Sequence, residues 1–354
     1  MMKALFSNPF LLDSVRSMAE VAVVVAALLF GTVRVLRHPV GRGRLKQIFS
    51  SRGARVSFGV LLFFLLIALL DSIRLPVYEI RAGERRIVKT ETLLEKLYHP
   101  AREETLSAPL ATVTLEGYRS RPLKGRHILG TDLNGNDVLL QALKGVRTAL
   151  IIGGLTVVIV IPLGILFGVL AGYFGGRVDD LITYVFSTIE SVPEILLLIC
   201  LMKLMGQGLT QLCIAMGITT WVGLCRVVRG ETLKLRELPF VQAARALGAG
   251  AFSILRRHII PNVMHIVLIT AILRFSGLVL SEAILSYLGI GVEPGTGSWG
   301  AMIDQARNDL ARDPVVWWSV TAAGTMLFIL ILAANVFGDR VRDVLDPRLQ
   351  GRRV

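Results

Sequence analysis

The chain reads as a succession of apolar blocks separated by polar, mostly basic segments. The blocks are Val21–Val33, Val56–Leu70, Thr148–Phe174, Leu181–Met202, Leu209–Cys225, Ile266–Leu288 and Val315–Phe337. Most approach the roughly 20 residues that a helix needs to cross a bilayer. The alternating segments of about ten residues that mark a membrane β-barrel are not seen. The pattern predicts an all-α fold: a polytopic membrane helix bundle of six core transmembrane helices with one extra N-terminal helix. The extra helix rests on the shortest block, which Glu20 and Arg34 at the two interfaces would lengthen. A secretory signal peptide is the competing reading, but no small-residue cleavage site follows. The Thr148–Phe174 block carries Gly153, Gly154, Gly164, Gly168 and Gly172. Small residues let neighbouring helices approach closely, so this helix is expected inside the bundle.

Composition supports the membrane reading, and charge sets the sides. Of 354 residues, 53% are hydrophobic and 18% charged, against about 25% charged in a soluble domain; mean hydropathy is +0.62. The net charge of +13 falls largely in short segments between blocks. That is the positive-inside pattern of cytoplasmic loops rather than a nucleic-acid surface. Arg34, Arg37, Arg42, Arg44, Lys46, Arg52 and Arg55 place the linker after the first block in the cytoplasm, and residue 1 outside. The chain then divides into an N-terminal extension (1–55), a first core helix (56–73), an extracytoplasmic loop (74–146), a membrane core (147–338) and a cytoplasmic tail (339–354). Within the core, residues 228–262 form a cytoplasmic loop. Cys200, Cys213 and Cys225 form no CxxC pair and read as small buried apolar residues.

One cytoplasmic insert is out of character with the apolar chain. In "PFVQAARALGAGAFSILRRHIIPN", Pro239 suits the first turn of a helix. Phe240, Ala243, Ala244, Leu247 and Ala251 recur at three- and four-residue steps, a narrow apolar stripe on an otherwise polar helix. Gly248 and Gly250 predict a sharp turn. A second helical piece follows, ending at Pro261. The pair is too short and too charged to span. It suits either docking of a soluble partner or an interfacial position on the membrane.

The insert resembles the EAA loop of binding-protein-dependent ABC importer permeases. That pattern is Glu-Ala-Ala, three residues, Gly, nine residues, then Ile-x-Leu-Pro. Here it reads Gln242, Ala243, Ala244, Gly248, His258, Ile260 and Pro261, with Gln in place of the usual Glu and His in place of the first Ile. "HILGTDLNGNDV", "SEAILSYLGIGVEPGTGSWGAMI" and "GDRVRDVLDPRL" are similar to further segments of the dipeptide, oligopeptide and nickel importer permeases. The likeness spans about Val56 to Leu349. It implies a permease subunit that forms half of a translocation pore in the inner membrane of a bacterium. It also implies a sister permease, usually non-identical, two cytoplasmic ATPases docked on the EAA loops, an extracytoplasmic substrate-binding protein, and lipid around the bundle. The residues implied in ATPase coupling are Gln242, Ala243, Ala244, Gly248, His258 and Pro261. Peptides are the commonest cargo of the family; nickel and peptide-like antibiotics are its other cargoes.

The chain itself contains no Gly-Lys pair and so no GxxxxGK[ST] phosphate loop. It is expected to be non-catalytic, without cofactor, with ATP hydrolysed by partner subunits. Four ionisable residues within spans are pore or gate candidates, since such residues are costly in a membrane. Glu190 and Glu194 lie four apart on one helical face, with Pro193 between them and Lys203 as a possible ion-pair partner. Arg274 and Glu282 share a later span. A membrane enzyme using Glu190 and Glu194 as acid and base is the rival class, but no nucleophile or metal set accompanies them. "DLNGNDV" is read as a turn in which Asn136 or Asp137 caps the next helix. The five histidines form no zinc-type cluster, and no metal site is expected.

Overall fold

The computed structural model describes residues 15–26, 39–81, 84–115, 121–293 and 295–345. Among the described residues five helices are long and apolar enough to cross a membrane: α3 (Arg52–Ser72), α5 (Val138–Phe174), α8 (Leu209–Leu235), the run Ala251–Tyr287, and α13 (Trp318–Leu345). A bent pair, α6 (Gly176–Glu190) and α7 (Glu194–Met205), which meet at 86°, has the length and composition of either a broken sixth span or a re-entrant loop. Ahead of them lie α1 (15–26) and α2 (Pro39–Ile48). The expected N-terminal span is helical as far as residue 26, and its remainder, 27–33, lies outside the described residues. The architecture is the expected helical membrane bundle.

The helices outrun the apolar blocks that announced them. Helix α5 starts at Val138, ten residues before the block, and α8 continues to Leu235 through a basic stretch. Helix α13 runs to Leu345, so the first part of the expected tail is helical; residues 346–354 lie outside the described residues. Apolar content marks the part of a helix that lipid and core select, whereas backbone hydrogen bonding continues until something stops it.

Two expectations are corrected. The Leu181–Met202 block is not one helix. Pro193 supplies no N–H and disfavours helical geometry at Val192, so α6 ends at Glu190 and α7 begins at Glu194. Conversely, the insert's second piece does not end at Pro261. Helix α10 (Ala251–Ile254), a π turn (Leu255–Ile259) and α11 (Ile260–Tyr287) are continuous. The wide turn suits a proline: Ile260 N–H reaches back five residues to Leu255 O, and the Asn262 amide donates to His258 O at 2.6 Å.

The polar loop also carries structure that the hydrophobic pattern did not predict. Strands β1 (Arg74–Arg81) and β2 (Glu84–Thr92) pair antiparallel, with Arg74 opposite Thr92 and an irregularity at Val77/Tyr78. Thr92 then caps the short α4 (Leu93–Leu97) in a capping box with Glu95.

The described residues divide between two compact units, one drawn from Met1–Arg34, Val56–Ile152 and Glu282–Ala333, the other from Val35–Arg55, Gly153–Ser281 and Ala334–Val354. In the first, Trp299 opens α12 (Trp299–Ala306) and is fully buried, its indole N–H donating to Ala142 O at 2.8 Å. Arg147 donates to Ser17 Oγ at 2.8 Å and Ser72 Oγ at 3.2 Å, tying α1 and α3 to α5. In the second, Gly164, Gly168 and Gly172 of α5 lie against Leu224, Val228 and Thr232 of α8. Added side chains there would collide with α8, which is the small-residue packing expected of this block. Ile48 of α2 packs with Val341 and Val344 of α13.

Candidate functional site

The insert is built from the turn after α8. Leu238 precedes Pro239, which occupies the first turn of α9 (Pro239–Ala246). Helix α9 ends in a Schellman arrangement: Ala249 N–H donates to Ala244 O and Gly248 N–H to Arg245 O, both at 3.0 Å. Gly248 sits at φ +81°, the left-handed conformation that glycine adopts without strain. Gly250 then opens α10. The two expected helical pieces and the turn between them are present at these positions.

Burial divides the insert into an anchoring side and a presenting side. Val241, Ile254, Leu255 and Ile259 are buried in a cluster with Tyr173, Ile182 and Phe186. Leu247 is 87% and Phe252 77% exposed, and Phe240 is also exposed. The stripe read from spacing is therefore split: Ala244 and Ala251 pack against the core, whereas Phe240 and Leu247 face outward. Val241 is the anchor that spacing missed; it lies one residue off the stripe.

Polar contacts hold the insert at its base. Gln242 donates to Glu237 Oε2 at 3.2 Å. The Arg245 guanidinium lies 5.4 Å from the Tyr173 ring centroid, and the rings of Phe240 and His258 are 6.1 Å apart. Beneath it, Arg229 grips Asp179 with two hydrogen bonds of 2.5 and 2.6 Å, and Arg236 donates to Gly172 O at 3.1 Å. Bidentate arginine–carboxylate pairs fix orientation as well as position.

The four candidate pore residues are placed differently from one another. Glu190 closes α6 and Glu194 opens α7, so they share no helical face. Both are exposed. Glu190 pairs with Arg226 of α8 rather than Lys203, and Arg226 also lies over the Phe186 ring. Glu282 is buried and accepts hydrogen bonds from Ser286 Oγ at 2.8 Å and Ser298 Oγ at 2.7 Å. Arg274 borders a small cavity with Thr220, Leu224 and Thr270.

In the polar loop, a buried group surrounds the start of α5. His127 Nδ1 lies 2.8 Å from Asp137 Oδ2, and its Nε2 lies 3.2 Å from Glu103 Oε1. Asp137 Oδ1 accepts from Leu140 N–H at 2.8 Å, so of the two expected caps it is Asp137 that serves. Tyr98 donates to Asp137 Oδ2 at 3.1 Å. Burial and then the Asp137 charge push the Tyr98 hydroxyl up to about 12. The turn "DLNGN" is organised by Asp132, which accepts from the backbone of Asn134 and Asn136.

Comparison with known proteins places the chain. The family model described as binding-protein-dependent transport system inner membrane component matches residues 164–351. The dipeptide transport system permease protein DppC of Bacillus subtilis is 33% identical over 65% of this chain and 71% of its own length. The oligopeptide transport system permease protein OppC of Haemophilus influenzae is 35% identical, covering 67% and 73%. The glutathione transport system permease protein GsiD of Pectobacterium atrosepticum is 35% identical, covering 63% and 73%. A solved structure of the MetNI methionine ABC transporter is similar at 21% identity and TM-score 0.43, over 58% of this chain and 96% of that one. A match across more than half the chain, in a helical bundle of up to six spans, leads to one assignment. The chain belongs to the binding-protein-dependent transport system inner membrane component family and is a multi-pass protein of the inner membrane.

Proposed function

We propose that this chain forms half of the pore of an ATP-driven importer of peptides and takes its driving force from separate ATPases through residues 239–261. The observation that carries the reading is the two-sided insert. Val241, Ile254 and Ile259 root it in the unit that holds α5, α6 and α8, while Leu247 and Phe252 stand exposed beside a tight turn. Large apolar side chains held in water by a rigid support are suited to fill pockets on a soluble partner. An interfacial helix would instead present a continuous apolar face along its length. Gln242, Ala243, Ala244, Gly248, His258 and Pro261 are then coupling residues by position: Ala243 and Gln242 lie on the exposed side, Gly248 makes the turn, and His258 and Pro261 join the insert rigidly to α11.

The remaining parts of the assembly follow. A sister permease completes the pore, two ATPases dock on the inserts, and a binding protein delivers cargo to the side bearing β1, β2 and the His127 cluster. The subunit is itself non-catalytic. Peptides are proposed as cargo because the similar permeases are named for dipeptides, oligopeptides and glutathione. The test is purification of the tagged chain from native membranes in mild detergent, with its partners identified by mass spectrometry. Recovery of a second permease and one or two ATPases is the expected result. Recovery of the chain alone, under conditions that keep other transporters whole, overturns it.

A further inference from the structure

Arg274 is set in the wall between α5, α8 and α11, and the fold makes room for it. At Gly223 on α8 a Cβ would fall on Nη2 of Arg274, so one edge of the guanidinium occupies the space that a side chain at residue 223 would take. It borders a small cavity of about 10 Å³, apolar in its exposed lining, whose other walls include Val157, Thr220, Leu224, Thr270 and Leu278. The two threonines donate their hydroxyl hydrogens to their own helices, Thr220 to Met216 O at 2.7 Å and Thr270 to Ile266 O at 2.8 Å. Their oxygens keep lone pairs for a donor or a bound water.

What the site lacks is an anion. Arg274 has no hydrogen bond or ion pair among the described residues. The stretches that face it, residues 138–178, 209–230 and 251–281, contain neither Asp nor Glu; the acids farther along α8 and α11 are engaged elsewhere, Glu231 with Lys234 and Glu282 with Ser286 and Ser298. Other arginines of this unit do have acceptors: Arg226 has Glu190, Arg229 has Asp179, Arg236 has Gly172 O and Arg340 has Gln47 O. An ionised group within a membrane protein is retained where it meets an opposite charge or a water-filled path. The planar fork of a guanidinium matches a carboxylate in particular.

We infer that Arg274, seated on Gly223, is an anion site in the translocation path that holds the carboxylate of the passing cargo. The inference rests on the peptide-importer reading above and adds a chemical preference to it. The cargo carries a free carboxylate, and a bare cation such as a divalent metal would be repelled at this point. A single monovalent pair gives attraction without trapping, as a transport path requires.

The test uses the whole transporter in proteoliposomes, with binding protein saturated by radiolabelled trialanine or by trialanine C-terminal amide. The Arg274→Gln variant is expected to slow uptake of the free acid about tenfold or more relative to wild type. Amide uptake should be unchanged, and Arg274→Lys should recover part of the acid uptake. Equal slowing of both forms in an assembled Arg274→Gln complex overturns the inference and assigns the arginine to a partner subunit's carboxylate. Unchanged uptake of both also overturns it. A wild-type complex that couples to its ATPases yet carries neither form overturns the peptide reading itself.

Discussion

The indole of Trp299 occupies the space that a side chain at residue 145 would fill. A Cβ on Gly145 would sit 2.6 Å from both Cδ1 and Nε1 of the ring, and the same indole N–H is bonded to Ala142 O one turn earlier. Helix α5 and the start of α12 are thereby locked by one aromatic ring and one missing side chain. Replacing Gly145 by Val should destabilise this unit by about 1–3 kcal/mol through overpacking. Trp299→Ala should cost about 3–5 kcal/mol through the cavity it leaves. Thermal unfolding of the purified protein in detergent checks both; an unchanged midpoint for Gly145→Val contradicts the packing described here.

The turn at Gly248 demands a left-handed residue and nothing else, because no atom lies within 4 Å of its virtual Cβ. Gly248→Asn should therefore be tolerated. Gly248→Val carries about 1–2 kcal/mol of backbone strain, which corresponds to roughly tenfold in an equilibrium. In transport assays Gly248→Val is expected to lower coupled uptake while leaving insertion into the membrane normal. Equal activity of the two variants would show that turn geometry is immaterial to coupling.

Leu247 and Phe252 are the most exposed large apolar residues of the insert. Leu247→Asp or Phe252→Asp should weaken capture of the ATPase subunit by ~30-fold, the effect of losing about 2 kcal/mol at a contact centre. Val241→Asp should instead damage folding, since Val241 is wholly buried. Co-purification measured beside detergent stability separates the two effects.

Glu95 ties the polar loop to α5 through Lys144 at 2.5 Å and caps α4 through Thr92 N–H at 2.7 Å. Burial pushes its carboxyl up, but Lys144 and Thr92 outweigh that and hold it below its ordinary value of 4.5. A carboxylate whose folded value is depressed contributes stability above the unfolded value and loses it as pH falls through the folded one. The stability difference between wild type and Glu95→Gln should thus be full at neutral pH and shrink below about pH 4. Unfolding midpoints measured from pH 7 to 3 test this; a gap that stays constant with pH refutes the assigned charge role.

The sequence by itself determined the class of the protein, the order of its apolar segments, and where along the chain the helical insert stands. These follow from local chemistry. Lipid admits only apolar helices or closed barrels, the barrel pattern is not seen in the sequence, and Pro239, Gly248 and Gly250 act on the backbone wherever they stand. The turn at "DLNGND" and a cap at Asn136 or Asp137 were legible for the same reason, and the structure chose Asp137. The hairpin was not read from the pattern, although Thr92 and Glu95 have capping-box spacing, because its strands alternate weakly and include Pro76.

Only the tertiary structure decided which side each residue faces and what it meets. Spacing put Glu190 and Glu194 on one face, but the break at Pro193 divided them and the position of α8 brought Arg226 to Glu190. Spacing could not distinguish Val241, which is buried, from Leu247, which is exposed, because α5, α6 and α10 determine which part of α9 is covered. The relation of Gly223 to Arg274, 51 positions apart, exists only because α8 and α11 pack together. Local sequence sets backbone propensity and polarity, but burial and charge pairing belong to two surfaces at once and appear only when the helices meet.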